Sequence, residues 1–560
     1  MKHLGPISGI ATSGERLVAT VGYDNQIILW DPRDKTPLNR GFHDHLANQC
    51  SFSGCGKYLA SASSDYSARI WEVPSLRLLA ICHGHDDDVE MAAWSPDNTR
   101  IATCSRDTTI RVFSTKGQEI SVLRGHDADV ISVTWEPGGR RLISSSDDGT
   151  VRRWDIESAA SIETIDVGGV ETDTIVITPD GGIFAGNDEG QILIIRGDAV
   201  ERVAAHQAGI KRLSYAPEQR LLASLSYDRS VMLWQADEKF NLTLVHKAEM
   251  PSIVWPRSSA FLGGSRMVFG TFGSTYALYD WRAGKWDLSR IEPDISLNAV
   301  LWKDGSAYTI GDAGRIARDG VVLQDLGSLC NFLVAAGSMI LTGGQMGKIF
   351  DAVTGRVLYQ HRSPLNCGDT FRKDGKLHAV IGAYTGEGIV LRIGESGVEG
   401  VEIVQLHDNA VKGVACSDSH IFSVCATGAA AFHRVSDLQR EHGLDQAHDR
   451  ISNGCVALPN GSFASISRDL KLRLWNGPDA ESFPSPHRNS IKCVAASQDG
   501  SWIATGSYGG TIAFFDVRAK RWGRVVRPTA AGISNLTKTD TPSRFLASSY
   551  DGHVHEVSAQ

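Results

Sequence analysis

The sequence contains no CxxC pair, although ten cysteines are spread over its 560 residues. Cys50, Cys55, Cys82, Cys104, Cys330, Cys367, Cys416, Cys425, Cys455 and Cys493 lie far apart, and several fall inside apolar runs such as IATCS, VKGVACS and IKCVA. This pattern argues against a zinc ribbon or a disulfide framework and for buried free thiols of a reducing compartment. Long hydrophobic runs are missing as well. No uninterrupted apolar stretch approaches the roughly 18 residues of a spanning helix, and the N-terminus MKHLGPISGIATSG lacks the apolar core of a secretory signal. Neither charge dominates: the net charge is −8, which gives no global attraction to nucleic acid or to an acidic membrane surface. These absences predict a soluble cytoplasmic protein, monomeric by itself, with no membrane partner and no nucleic-acid partner.

Catalytic signatures are equally scarce. There is no GxSxG, HExxH or EF-hand loop. The segment GGQMGKI at 343–349 resembles a phosphate loop only superficially: Thr342 stands where the first glycine is needed and Ile349 where Ser or Thr is needed, so it reads as a turn. The pairs His43/His45, His83/His85 and His553/His555 have spacing that can hold a metal on one strand face, but no carboxylate cluster completes a site. The expectation is no catalytic residue, no metal, no cofactor and no enzyme activity.

Turns, by contrast, are abundant, with 57 glycines. Residues 125–155, GHDADVISVTWEPGGRRLISSSDDGTVRRWD, hold three short β-rich runs (VISVTW, RLISSS, TVRRW) separated by EPGG and DDG. Pro and Gly punctuate and β-branched residues fill, which predicts a three-strand meander. The stretch recurs. Trp154 lies six residues after Asp148, ten after Ser144 and 28 after His126. The same linked positions return as His3/Thr20/Asp24/Trp30, His43/Ser61/Asp65/Trp71, His85/Thr103/Asp107/Phe113, His206/Ser224/Asp228/Trp234 and His448/Ser465/Asp469/Trp475, the first and last of these one residue shorter at the His end. One copy cannot bury its own apolar faces, so the copies must pack on each other.

With GH near the start of a unit and WD at its end, the chain resembles the WD40-repeat family. The resemblance implies an all-β fold in which His, Ser/Thr, Asp and Trp form a hydrogen-bonded tetrad inside each four-stranded blade, a structural rather than a chemical role. Degenerate units fill the gaps: residues 172–196 place Asp188 and Ile194 at the Asp and Trp positions, and residues 246–280 keep His246 and Trp255 but have Gly273 and Tyr279 there. Seven units end near residue 292. Seven more, strongly eroded over 293–400, begin near Leu297, Leu329, Cys367, Val411, Ile451, Ile491 and Ile533. The predicted architecture is two consecutive seven-bladed WD40-type β-propellers of about 14 blades, 1–292 and 293–560. Its last blade is short of a fourth strand or borrows one from elsewhere in the chain.

In such proteins partners commonly bind one narrow face, through residues just before the turn Asp and near the start of the first strand. That resemblance points to Tyr23, Asp88, Glu90, Arg106, Asp129, Asp147, Lys211, Tyr227 and Phe272 in the first ring. In the second it points to Lys412, Arg450, Arg468, Lys492, Tyr508 and Tyr550. Exposed Tyr, Phe and Arg here would suit interface hot spots. The implied function is a non-catalytic scaffold that docks proteins or peptides, as a subunit of a multiprotein complex that can be linked to a signalling ATPase. Two alternatives stand beside it. One is a reader of a basic or modified tail through acidic blades 3 and 4 (Asp86, Asp87, Asp88, Glu90, Asp127, Asp129). The other is a propeller hydrolase or lyase using the central channel.

Overall fold

The computed structural model describes residues 1–197, 199–292, 296–395 and 397–560. Among these residues the strands form thirteen four-stranded sheets and one three-stranded sheet, each an antiparallel meander of consecutive strands. In the repeat at 125–155 the three runs become Val130–Trp135, Arg141–Ser146 and Thr150–Asp155, and Ala160–Asp166 adds a fourth strand. That fourth strand, ASIETID, alternates exposed and half-buried residues along most of its length, which is why its sequence carries only a weak apolar signal.

The chain divides into two compact units, Met1–Glu292 and Pro293–Gln560. The first holds sheets 1 to 7 (residues 7–42, 47–82, 89–123, 130–166, 174–204, 210–249 and 254–287). The second holds sheets 8 to 14 (297–325, 330–360, 365–405, 411–444, 452–484, 491–526 and 533–558). In each unit the first strand of every sheet packs on the first strand of the next, and the last sheet packs on the first, so the seven follow one another in a cycle.

The core lies between the sheets. In the first unit Ala19, Val21 and Leu29 of sheet 1 meet Ala47, Leu59 and Trp71 of sheet 2, and the cycle closes where Ile10 and Trp30 meet Leu262 and Val268 of sheet 7. In the second unit the six gaps from sheet 8 to sheet 14 are filled by apolar clusters. Hydrogen bonds cross the seventh gap, sheet 14 to sheet 8. Val300 N donates to Asn535 Oδ1 at 3.2 Å, Trp302 Nε1 to Asp540 Oδ2 at 2.8 Å and Ser296 Oγ to the Tyr550 carbonyl at 3.2 Å. Sheet 14 is the three-stranded one.

All ten cysteines are free thiols; Cys55 is exposed and the rest are buried or half-buried. Among the described residues no helix is long and apolar enough to cross a membrane, and no group of three or more His, Cys, Asp or Glu is arranged to hold a metal ion.

Candidate functional site

The tetrads fix the turns that carry the site. Trp154 Nε1 donates to Ser144 Oγ at 2.8 Å, His126 Nε2 lies 2.8 Å from the same oxygen, and His126 Nδ1 lies 2.7 Å from Asp148 Oδ2. A carboxylate only accepts, so Nδ1 carries the proton and Nε2 accepts the Ser144 hydroxyl proton, which selects one tautomer. Sheet 6 repeats this with Trp234, Ser224, His206 and Asp228, and sheet 12 with Trp475, Ser465, His448 and Asp469. In sheet 3 the Trp position is Phe113, which has no N–H to give; His85 still joins Thr103 and Asp107, each at 2.8 Å.

The Asp also holds the backbone. Asp148 accepts from the N–H groups of Asp127 at 3.1 Å and Thr150 at 2.9 Å, which pins the turn at Gly149, where φ is +73°. A Cβ at Gly149 would lie 2.4 Å from the Gly169 Cα, so this turn accepts only glycine. Burial alone would raise the Asp148 pKa, but the bonds from His126 and Thr150 outweigh it and hold the group well below the usual range. With every donor and acceptor engaged, the tetrads are architectural.

One residue before the tetrad Asp position, a single backbone bond recurs in each of the fourteen sheets: the residue's N–H donates to a carbonyl next to the start of the first strand. It runs from Tyr23 to Pro6, Ser64 to Leu46, Arg106 to Asp88, Asp147 to Asp129, Asp188 to Glu171, Tyr227 to Gly209 and Phe272 to Ile253. In the second unit it runs from Asp312 to Ser296, Gln345 to Leu329, Tyr384 to Pro364, Ala426 to Ala410, Arg468 to Ile451, Tyr508 to Ser490 and Tyr550 to Gly532. These seven donors per unit form a rim of equivalent positions.

The rim corrects the sequence reading of sheet 5. Pairing of Ile183 with Ile195 and Phe184 with Ile194 centres the hairpin on Glu189, followed by Gly190 at φ +78°. Glu189 therefore stands where tetrad Asp residues stand, and Asp188 is a rim residue. It corrects exposure as well. Asp88, Glu90 and Tyr550 are buried, and Tyr23, Arg106, Asp129, Asp147, Lys211, Tyr227, Phe272, Lys412, Arg450, Arg468, Lys492 and Tyr508 are half-buried rather than exposed. The reason is mutual contact.

In the first unit Trp255 packs edge-on to Tyr23 at 5.3 Å and tilted against Phe272 at 5.2 Å, with the Arg257 guanidinium 5.7 Å from its ring centre. Arg257 reaches Glu90 at 2.9 Å, and Glu90 also takes Arg106 at 2.6 Å, which in turn pairs with Asp129. Lys211 pairs with both Asp173 and Asp188 and lies 5.2 Å above the Tyr227 ring. One ammonium serves two carboxylates, and they titrate apart. Burial raises both, but Lys211 holds Asp173 low, whereas Asp173 and Glu171 help push Asp188 up to about 8. Asp147 is raised well above the usual range by burial and by Glu171, Asp173 and Asp129, with Arg106 a partial counterweight, and its Oδ1 is buried without a hydrogen-bond partner. The carboxylates of sheets 3 and 4 are thus joined by Glu171, Asp173 and Asp188 of sheet 5. Sequence reading missed Trp255 and Arg257 as site residues because their unit lacks the tetrad Asp that anchors the count; it missed Glu171 and Asp173 through the weak repeat there.

In the second unit Lys412 lies 4.3 Å from the Tyr384 ring centre, and Tyr508 stacks on Tyr550 at 6.2 Å and 13°. Asp312 is raised to about 7 by burial, against a bond from Asn298 Nδ2 at 2.8 Å.

Comparison with known proteins fits this construction. Residues 37–72, 76–114, 117–155, 197–235 and 481–516 match the family model for the WD domain, G-beta repeat. Five such matches on repeated antiparallel sheets show that the chain carries WD40 repeats. It is 27% identical over 236 residues to the target of rapamycin complex subunit wat1 of Schizosaccharomyces pombe, covering 40% of this chain and 75% of the relative. A guanine nucleotide-binding protein subunit beta-like protein of Encephalitozoon cuniculi is 24% identical, covering 46% and 87%. Protein HIRA of Dictyostelium discoideum is 39% identical over 123 residues, only 18% of this chain and 11% of the relative.

Proposed function

We propose that the protein is a non-catalytic scaffold of two seven-bladed β-propellers, residues 1–292 and 293–560, which docks protein or peptide partners on its rims as a subunit of a multiprotein complex. The observation that carries this reading is the rim itself. Aromatic and guanidinium groups (Tyr23, Trp255, Phe272, Arg257) are held rigidly by one another, which suits anchors that lose little entropy on binding. The names of two relatives, a complex subunit and a G-protein beta-like subunit, favour the same class. The test is affinity capture with Tyr227→Ala/Phe272→Ala in the first unit and Arg468→Glu/Tyr508→Ala in the second. We expect one variant to lose a stoichiometric partner at least tenfold with an unchanged melting curve. Retention of every partner by both folded variants would overturn the rim as the docking face.

A second reading has its own support. Asp129, Asp147, Glu171, Asp173 and Asp188 outnumber Arg106 and Lys211, which favours a Lys/Arg-rich tail at sheets 4 and 5. The sign of its pH dependence follows from Asp188, neutral below about 8 and charged above. Binding of a fluorescent Lys/Arg-rich peptide, followed by anisotropy, should tighten from pH 6.5 to 9 and weaken with salt. Asp188→Asn should make the pH profile shallower, with Asp129 and Asp147, also raised by burial, keeping the rest of it. A peptide that binds equally at both pH values would dispose of this reading.

A further inference from the structure

In each of sheets 1, 2, 3, 4 and 6 the pairing of the first strand with the second shifts by one residue near its start. The residues just past the shift stand at one level of the inner ring of first strands: Gly9, Gln49, Met91, Ser132 and Arg212, with Thr174 at the same register in sheet 5. Arg212 is the charged one, and no carboxylate is among them.

Nearer the rim, opposite charges meet across the interior. In sheet 7 Val254 pairs with Thr271 and Ser259 with Phe269, which leaves residues 255–258 as a bulge opposite Gly270. The bulge carries Arg257, whose Nη2 donates to Glu90 of sheet 3 at 2.9 Å. Sheets 7 and 3 are not neighbours in the cycle, so this bond crosses the interior and narrows the way in from the rim. Arg212 has no such partner. Among the described residues its guanidinium makes no hydrogen bond or ion pair, and its Nε is buried. Burial lowers its pKa to about 10; Cys50 of sheet 2 opposes that, Arg257 adds to it, and no carboxylate takes part. The Cys50 thiol is itself pushed up to about 12 by burial, so it stays neutral and supplies no counter-charge. A buried charge without a counter-charge is costly. Beside Cys50, Gln49 is 6% exposed; its Oε1 accepts from the Cys50 N–H at 3.0 Å, which leaves Nε2 to donate elsewhere. A positive charge and an amide donor with no carboxylate select an anion.

We propose that the interior of the first unit, at the level of Arg212, binds one small oxyanion of the class of inorganic phosphate or sulfate, on the Arg212 guanidinium with the Gln49 amide as second donor. The oxygens of such an ion accept two parallel N–H groups of a guanidinium and still leave one for Gln49. The Arg257–Glu90 bridge favours a free ion over a group carried on a partner chain, which would have to displace it. The proposal stands apart from the docking reading, since Arg212 belongs to no rim.

The probe is inorganic phosphate, titrated into the full chain at constant ionic strength with chloride as the reference anion. We expect saturable heat in titration calorimetry and a rise of the first unit's melting transition with phosphate, because a ligand of the native state stabilises it by mass action. Arg212→Met keeps much of the side chain and removes its charge. It should melt higher than the parent in phosphate-free chloride buffer and bind phosphate at least tenfold more weakly. Arg212→Gln gives the same readout should the methionine variant not fold. Equal stabilisation of parent and variant by phosphate would reflect general exclusion of the anion from the surface and overturn the proposal. So would a lower melting transition of both variants in chloride, since the guanidinium would then already be paired. A phosphoserine peptide that binds through Arg212 at least tenfold more tightly than phosphate would give the site to a partner chain and overturn it as well.

Discussion

A Ser144→Ala variant loses about 2–6 kcal/mol of stability in the first unit. Removing this hydroxyl leaves the Trp154 N–H and the His126 Nε2 without partners, and each buried orphan costs about 1–3 kcal/mol. Both rings are inaccessible: Trp154 is 0% exposed and His126 5%. Sheet 3 supplies the internal control. Phe113 fills the Trp position, so Thr103→Val, which exchanges only the hydroxyl for a methyl, orphans only His85 Nε2 and should cost about half as much. A double-mutant cycle separates the contributions, because in a Trp154→Phe background the penalty of Ser144→Ala should fall by one orphan. Calorimetry of the full chain, resolved into the transitions of its two units, checks the ordering. Equal costs for Ser144→Ala and Thr103→Val would mean that the indole bond contributes nothing.

Mild acid should unfold the second unit before the first. His407 and His487 keep their hydroxyl partners, Ser423 at 2.9 Å and Thr505 at 2.9 Å, but Thr427 and Gly509 stand where complete tetrads have Asp. His433 occupies the Trp position of sheet 11 and is 1% exposed. With no carboxylate to balance burial, all three imidazoles are held down to about 4. An unfolded His titrates near 6.5, so the unfolded chain binds more protons between pH 6.5 and 4. The contribution to stability is therefore complete above about 6.5 and lost as pH falls to about 4, on the order of 3 kcal/mol for each His. Melting monitored from pH 7 to 4 should show the second unit's transition falling first. Gly509→Asp restores the missing carboxylate beside His487, whose Nδ1 otherwise has only Thr511 Oγ1, at 2.8 Å. Its Cβ would meet the Asn489 Cβ at 3.3 Å, a tight contact that a small shift of that side chain relieves. The variant should flatten the acid limb; an unchanged limb would remove His487 as its source.

Much of this was legible in one dimension, because a repeat prints the same solution many times. His126, Ser144, Asp148 and Trp154 must keep fixed offsets if one hydroxyl is to join two rings, one on a neighbouring strand and one on the connection between sheets, and those offsets survive in the sequence. Outer strands such as ASIETID were not legible as apolar runs, since they bury little. Sheet 5 was misread by one residue because Ile194 and Asp188 fit the spacing, whereas pairing Ile183 with Ile195 moves the turn centre to Glu189. Trp255 and Arg257 were passed over for a related reason: no intact tetrad gave them a register.

The sequence by itself determined the class of the fold, the number of repeating units and the identity of the tetrads, because these follow from local pairing and fixed spacing along the chain. Only the tertiary structure decided which rim residues meet. Lys211 finds Asp173 and Asp188, 38 and 23 residues away, and Arg257 finds Glu90, 167 residues away. Contacts between sheets depend on how the cycle closes, which spacing along the chain does not encode.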